Sequence, residues 1–152
     1  MTSAALALTL GLTTGGGRDS DDAPAPAPIV TFPVGDTIAL TTSGRLISFN
    51  RATPSSQVGS VAVTGLAGTE TLLGIDIRPV NGVLYALGSN GGIYRIDPAT
   101  GVTSLSSTLR AAAGDDDPFT GLSGTSFGID FNPVPNRLRM ISNTGQNLRI
   151  NV

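Results

Sequence analysis

Histidine, cysteine and lysine are all missing from this 152-residue chain. Without histidine there are no Ser-His-Asp triads, no imidazole acid–base steps and almost no zinc or copper sites. The lack of cysteine removes thiol nucleophiles, thiolate metal centres and disulfides, and the lack of lysine removes Schiff-base chemistry. A catalytic site would have to be built from carboxylates, hydroxyls, arginines, Tyr85 and Tyr94. Charge is also scarce, at 13% Asp, Glu, Lys and Arg, and aromatics make up only 5%. The nine positive residues are all arginines placed singly along a chain of net charge −2. Nucleic-acid surfaces need clustered positive charge and stacking aromatics, so no nucleic-acid partner is expected. The short apolar run Ala4 to Leu12 falls well below the roughly 20 residues a helix needs to cross a bilayer, so no membrane span is expected.

What is present points to strands. Hydrophobic residues make up 39% of the chain, enough for a core, and 20 glycines and 10 prolines sit among frequent Thr, Ser and Val. No run of helix formers interrupts them. That composition predicts an all-β fold with many tight turns. Residues 1–28 read as a signal-like leader and spacer: an apolar stretch, then Thr13-Thr14-Gly15-Gly16-Gly17, then the stiff Ala23-Pro24-Ala25-Pro26-Ala27-Pro28. Gly15 stands where a lipidated cysteine would be needed, so a lipid anchor is not expected. The reading is an exported protein, periplasmic, cell-surface or extracellular, with residues 29–152 as its folded domain.

The chain repeats itself. Leu73-Gly74-Ile75-Asp76-Ile77-Arg78-Pro79 returns as Phe127-Gly128-Ile129-Asp130-Phe131-Asn132-Pro133, 54 residues later. The register then holds without a gap, Leu84 matching Leu138, Gly91 matching Gly145 and Arg95 matching Arg149. An earlier partial copy runs 47 residues ahead of the second: Ile38-Ala39-Leu40 through Gly44 to Asn50 aligns with Tyr85-Ala86-Leu87 through Gly91 to Asp97. Periods of this size with several short strands each are those of propeller blades. Expected strands are Ile29–Phe32, Thr37–Leu40, Leu46–Phe49 and Val58–Val63. Next come Leu72–Ile77, Val83–Leu87, Ile93–Ile96 and Val102–Leu109, and a third unit runs from Phe127 through Leu138–Ile141 to Leu148–Ile150. In the turn after Ile96, Asp97 is expected to cap backbone N–H groups and Gly101 to take positive φ. The predicted architecture is all-β, with propeller-like repeats of about four antiparallel strands, roughly three blade units and an incomplete ring.

Those segments, above all Ser123 to Pro133 with Asn136-Arg137-Leu138-Arg139 and Thr144 to Arg149, resemble the bacterial domain of unknown function 4394 family. The resemblance spans residues 36–151. It implies an exported protein with propeller-like repeats and assigns no activity. Such domains typically run through further blades, so the resemblance also implies a shortened member.

No catalytic, cofactor-binding or metal site is assigned, and no enzyme is expected. Asp76 and Asp130, related by the repeat, could form an acid–base pair or could satisfy backbone groups and arginines. Asp115-Asp116-Asp117 could ligate calcium, although its spacing matches no known loop, or could form a solvated acidic loop. Arg137, Arg139 and Arg149 with Gln146 and Asn147 could line a surface for a glycan or small anion, or the arginines could pair across strands with carboxylates. Neither Gly91-Gly92 nor Gly15-Gly16-Gly17 stands in a strand–loop–helix context, so a phosphate loop is not expected. The leading expectation is an exported non-catalytic module that self-associates through open sheet edges by β-augmentation, filaments being one form such an assembly can take. Ile29–Phe32 is a candidate donated strand. The alternative is a ligand-binding fragment for a glycan or small anion.

Overall fold

A computed structural model describes residues 31–152 and resolves ten strands with no helix among them. They are β1 (Thr37–Leu40), β2 (Arg45–Asn50), β3 (Thr53–Ala62), β4 (Leu72–Arg78), β5 (Val83–Gly88), β6 (Gly92–Ile96), β7 (Thr103–Thr108), β8 (Phe127–Asn132), β9 (Arg137–Ser142) and β10 (Asn147–Ile150). They form three antiparallel sheets in the orders β1-β2-β3, β4-β5-β6-β7 and β10-β9-β8, none closed into a barrel. Every expected strand from Thr37 onward is present. Of Ile29–Phe32, Ile29 and Val30 lie outside the described residues, and Thr31 and Phe32 are not strand. Phe32 N–H instead donates to Ala99 O in the β6–β7 turn at 2.8 Å.

The repeat is reproduced as register. In the second sheet Gly74 faces Leu87, Asp76 faces Tyr85 and Ile77 faces Leu84; in the third, 54 residues on, Gly128 faces Ile141, Asp130 faces Arg139 and Phe131 faces Leu138. At the offset of 47, Ala39 opposite Ile47 corresponds to Ala86 opposite Tyr94. β1 and β2 are therefore the counterparts of β5 and β6. The β4–β5 and β8–β9 turns are equivalent as well, with Gly82 at φ 66° and its counterpart Asn136 at φ 52°. Asparagine is among the few residues with a side chain that tolerate this left-handed conformation.

Two apolar clusters lie between the sheets. Leu84, Ala86, Tyr94 and Ile96 of the second sheet meet Leu46 and Val61 of the first. On its opposite face, Tyr85, Leu87 and Ile93 meet Phe131, Leu138, Met140 and Ile150 of the third. Because side chains alternate along a strand, β5 must be apolar at consecutive positions to serve both clusters, and Val83-Leu84-Tyr85-Ala86-Leu87 is. The Tyr85 and Phe131 rings meet edge-on, with centroids 5.5 Å apart. Polar bonds join the same layers. Phe131 N–H donates to Asp76 Oδ2 at 2.6 Å, Thr64 N–H to Gly101 O at 3.0 Å and Thr103 N–H to Thr64 O at 2.9 Å.

Candidate binding face on the third sheet

β9, Arg137-Leu138-Arg139-Met140-Ile141-Ser142, is buried at every second position. Leu138 and Met140 are fully buried against the second sheet, so the period of two turns Arg139 and Ile141 outward, with Arg137 half-buried beside them. β10 alternates in phase: Leu148 and Ile150 face the core, while Asn147 and Arg149 are exposed. The register sets Arg139 directly opposite Arg149 on one side and Asp130 on the other. Arg137 faces Asn132, and Ile141 lies between Gly128 and Asn147.

Comparison with the second sheet gives this face its meaning. Its counterparts there, Val83, Tyr85, Leu87 and Ile93, are apolar and covered by the third sheet. In the third sheet the same four positions hold Arg137, Arg139, Ile141 and Asn147. Arginines directly opposite each other repel, a modest destabilisation that a purely structural sheet would avoid. Among the described residues the ion pair formed is elsewhere, between Arg51 Nε and Asp36 Oδ2 at 3.5 Å. The guanidinium groups thus keep their planar donor forks, which match carboxylate, sulfate and phosphate oxygens.

The other candidates fall outside this face. Gln146 is committed to structure: its Oε1 accepts Ser123 N–H at 2.9 Å and its Nε2 donates to Gly121 O at 2.8 Å. Asp76 takes the backbone role, accepting Phe131 N–H on Oδ2 and Ile77 N–H on Oδ1 at 2.8 Å. Asp130, its repeat partner, is exposed beside Arg139, so the two aspartates form no acid–base pair. Asp115 to Asp117 lie in an exposed loop where Asp117 N–H donates to Asp115 Oδ1 at 3.1 Å. Ala99 N–H donates to Asp97 Oδ1 at 2.8 Å and Gly101 has φ 74°, as the turn chemistry predicts.

Sequence reasoning passed over Glu70, the chain's single glutamate. Its side chain is buried, with Oε1 accepting Asn90 N–H at 2.9 Å and Gly92 N–H at 3.0 Å and Oε2 accepting the Tyr94 hydroxyl at 2.5 Å. A Cβ on Gly88 would lie 2.1 Å from Glu70 Oε1, so this glycine is what lets the carboxylate in. The Gly91-Gly92 turn therefore does offer an anion nest, and the protein's own glutamate occupies it. Its uniqueness in the composition was the one available signal.

The two tyrosines, each about 1% exposed, are tuned in opposite directions. Burial, reinforced by the hydrogen bond to Glu70 and its charge, raises the Tyr94 hydroxyl above its ordinary 10.0. Burial also acts to raise Tyr85, but the nearby donor groups of Arg78, Asn81 and Arg95 and the charge of Arg95 outweigh it, leaving the hydroxyl below 10.0. Arg78 lies 5.8 Å from the Tyr85 ring centroid and 5.9 Å from that of Phe131, and its Nε donates to Asn136 Oδ1 at 2.9 Å.

Fold and face together define a class: an all-β protein of three stacked antiparallel sheets whose third sheet turns arginines outward. Residues 45–152 match a family described as a domain of unknown function, DUF4394, and the chain belongs to that family. No curated protein and no solved structure matches it.

Proposed function

We propose that this protein is an exported, non-catalytic β-sheet module that binds an anionic ligand or partner on the arginine face of its third sheet. The observation that carries this reading is the exchange of apolar for cationic residues at equivalent repeat positions, Tyr85 to Arg139 and Val83 to Arg137, on a face with no described ion pair. The protein's acidic balance, pI near 4.8, makes the test sharp. At neutral pH and low salt a sulfonate cation-exchange resin retains it, and combining Arg139→Ala with Arg149→Ala sends it into the flow-through. Failure of the unmodified protein to be retained would sink the reading.

Export rests on the leader features of residues 1–28, which lie outside the described residues; recovery of the protein solely in the cytoplasmic fraction would refute it. Three sheets built on one register and packed face to face support the propeller-like reading, with each sheet a blade. A second functional reading, self-association through sheet edges, is favoured by β1 and β10. Both are border strands among the described residues, in sheets of three strands where the middle sheet has four. Sedimentation at increasing concentration tests it, with a larger species expected; a monomer throughout would refute it.

A further inference from the structure

The geometry points to a linear acidic polysaccharide, carrying about one carboxylate per sugar, as the ligand of the arginine face. This inference rests on the anion-binding reading above and specifies its partner. On a sheet, alternate residues along a strand are about 6.7 Å apart and neighbouring strands about 4.8 Å apart, so Arg137, Arg139 and Arg149 form a spread lattice and not a pocket. A single small anion on such a surface would engage one or two guanidinium groups and stay largely hydrated, where each exposed pair contributes little. A polymer that meets all three at once turns later contacts into intramolecular ones and displaces counterions with each.

Three further observations select the polymer. None of the register positions of the face, Gly128, Asp130 and Asn132 on β8, Arg137, Arg139 and Ile141 on β9, and Asn147 and Arg149 on β10, holds an aromatic ring, so neither stacked nucleobases nor a stacked neutral sugar has a platform on these strands. Between and beside the arginines stand amides, Asn147 and Asn132, whose NH2 groups suit sugar hydroxyls; the Asn132 oxygen is already taken by Val134 N–H at 3.1 Å. Asp130 sits on one side of Arg139 and repels anions from the β8 edge. The polymer therefore runs over β9 and β10, from Arg137 across Arg139 and Arg149 toward Asn147, and Asp130 is a residue that limits its affinity.

Affinity electrophoresis of the intact chain through gels containing polygalacturonate tests this. Retardation is expected, with none in neutral dextran and a steep loss as salt rises. Arg139→Ala with Arg149→Ala should weaken binding roughly tenfold or more, while Asp130→Asn should strengthen it a few-fold. All three side chains are exposed, and thermal melting checks that the variants fold. If inorganic sulfate, poly-aspartate or single-stranded DNA binds as well per charge as polygalacturonate, or if Asp130→Asn leaves binding unchanged, the polysaccharide assignment is overturned while resin retention still supports anion binding. If the resin test fails too, both fall.

Discussion

Glu70 and Tyr94 form a buried acid–phenol pair closed by two backbone N–H groups, so altering either member leaves hydrogen-bonding groups of the other unmet. Glu70→Ala leaves the N–H groups of Asn90 and Gly92 and the Tyr94 hydroxyl without an acceptor. The expected loss is about 2–5 kcal/mol, read from urea unfolding. The pH dependence comes from the raised folded pKa of Tyr94: its contribution is fully present below about pH 10 and is lost as pH climbs through the folded value. Tyr85, held below 10.0, ionises first. A tyrosinate absorbance titration should therefore show two steps, the first without unfolding and the second accompanied by it, and Tyr85→Phe should remove the first. Beyond Glu70 being the single glutamate, none of this was visible in the sequence. Glu70 lies 24 residues from Tyr94, and no local pattern announces that a carboxylate folds back into a Gly-Gly turn.

Strand by strand, the sequence was far more readable. β9 and β10 could be recognised from alternation, and β5 from a short continuous apolar run bounded by turns. The residue difference between β5 and β9 encodes which sheet, among the described residues, is covered on two faces and which on one. Leu138→Ala should accordingly cost about 2–5 kcal/mol by chemical denaturation, whereas Ile141→Ala, on the outward face and 54% exposed, should stay within about 0.5 kcal/mol. The element that sequence reasoning shortened was β3. Its first half, Thr53-Pro54-Ser55-Ser56-Gln57, is polar, exposed and contains a proline, so it carries no strand signal. It forms because β3 borders its sheet, where a missing N–H costs nothing, and its pairing with β2 shifts register between Ser48 and Asn50 to admit it. The outward arginines of β9 were legible as a same-face pair. That they lack ion pairs and that Gln146 turns away were not, because both depend on what neighbouring loops reach.

At the scale of the molecule, the sheets are joined by a few directional bonds laid over a continuous apolar stack. Asp76 is the clearest, since its carboxylate crosses from the second sheet to the backbone of the third. Asp76→Ala strands the Phe131 N–H at a part-buried position, and the expected result is a loss of about 1–3 kcal/mol with faster amide exchange across β8 to β10 than across β5 and β6. Uniform exchange in all three sheets would show that apolar contact alone couples them. The sequence by itself determined the all-β class, the repeat, its offsets, nearly every strand and the turn residues, because these depend on spacings of two and on local φ preferences. The tertiary structure alone decided which repeated residues are used and which are left over. Asp76 is bonded and Asp130 exposed, Tyr85 is covered and Arg139 bare, because identical local patterns acquire different roles only when a neighbouring sheet does or does not lie against them.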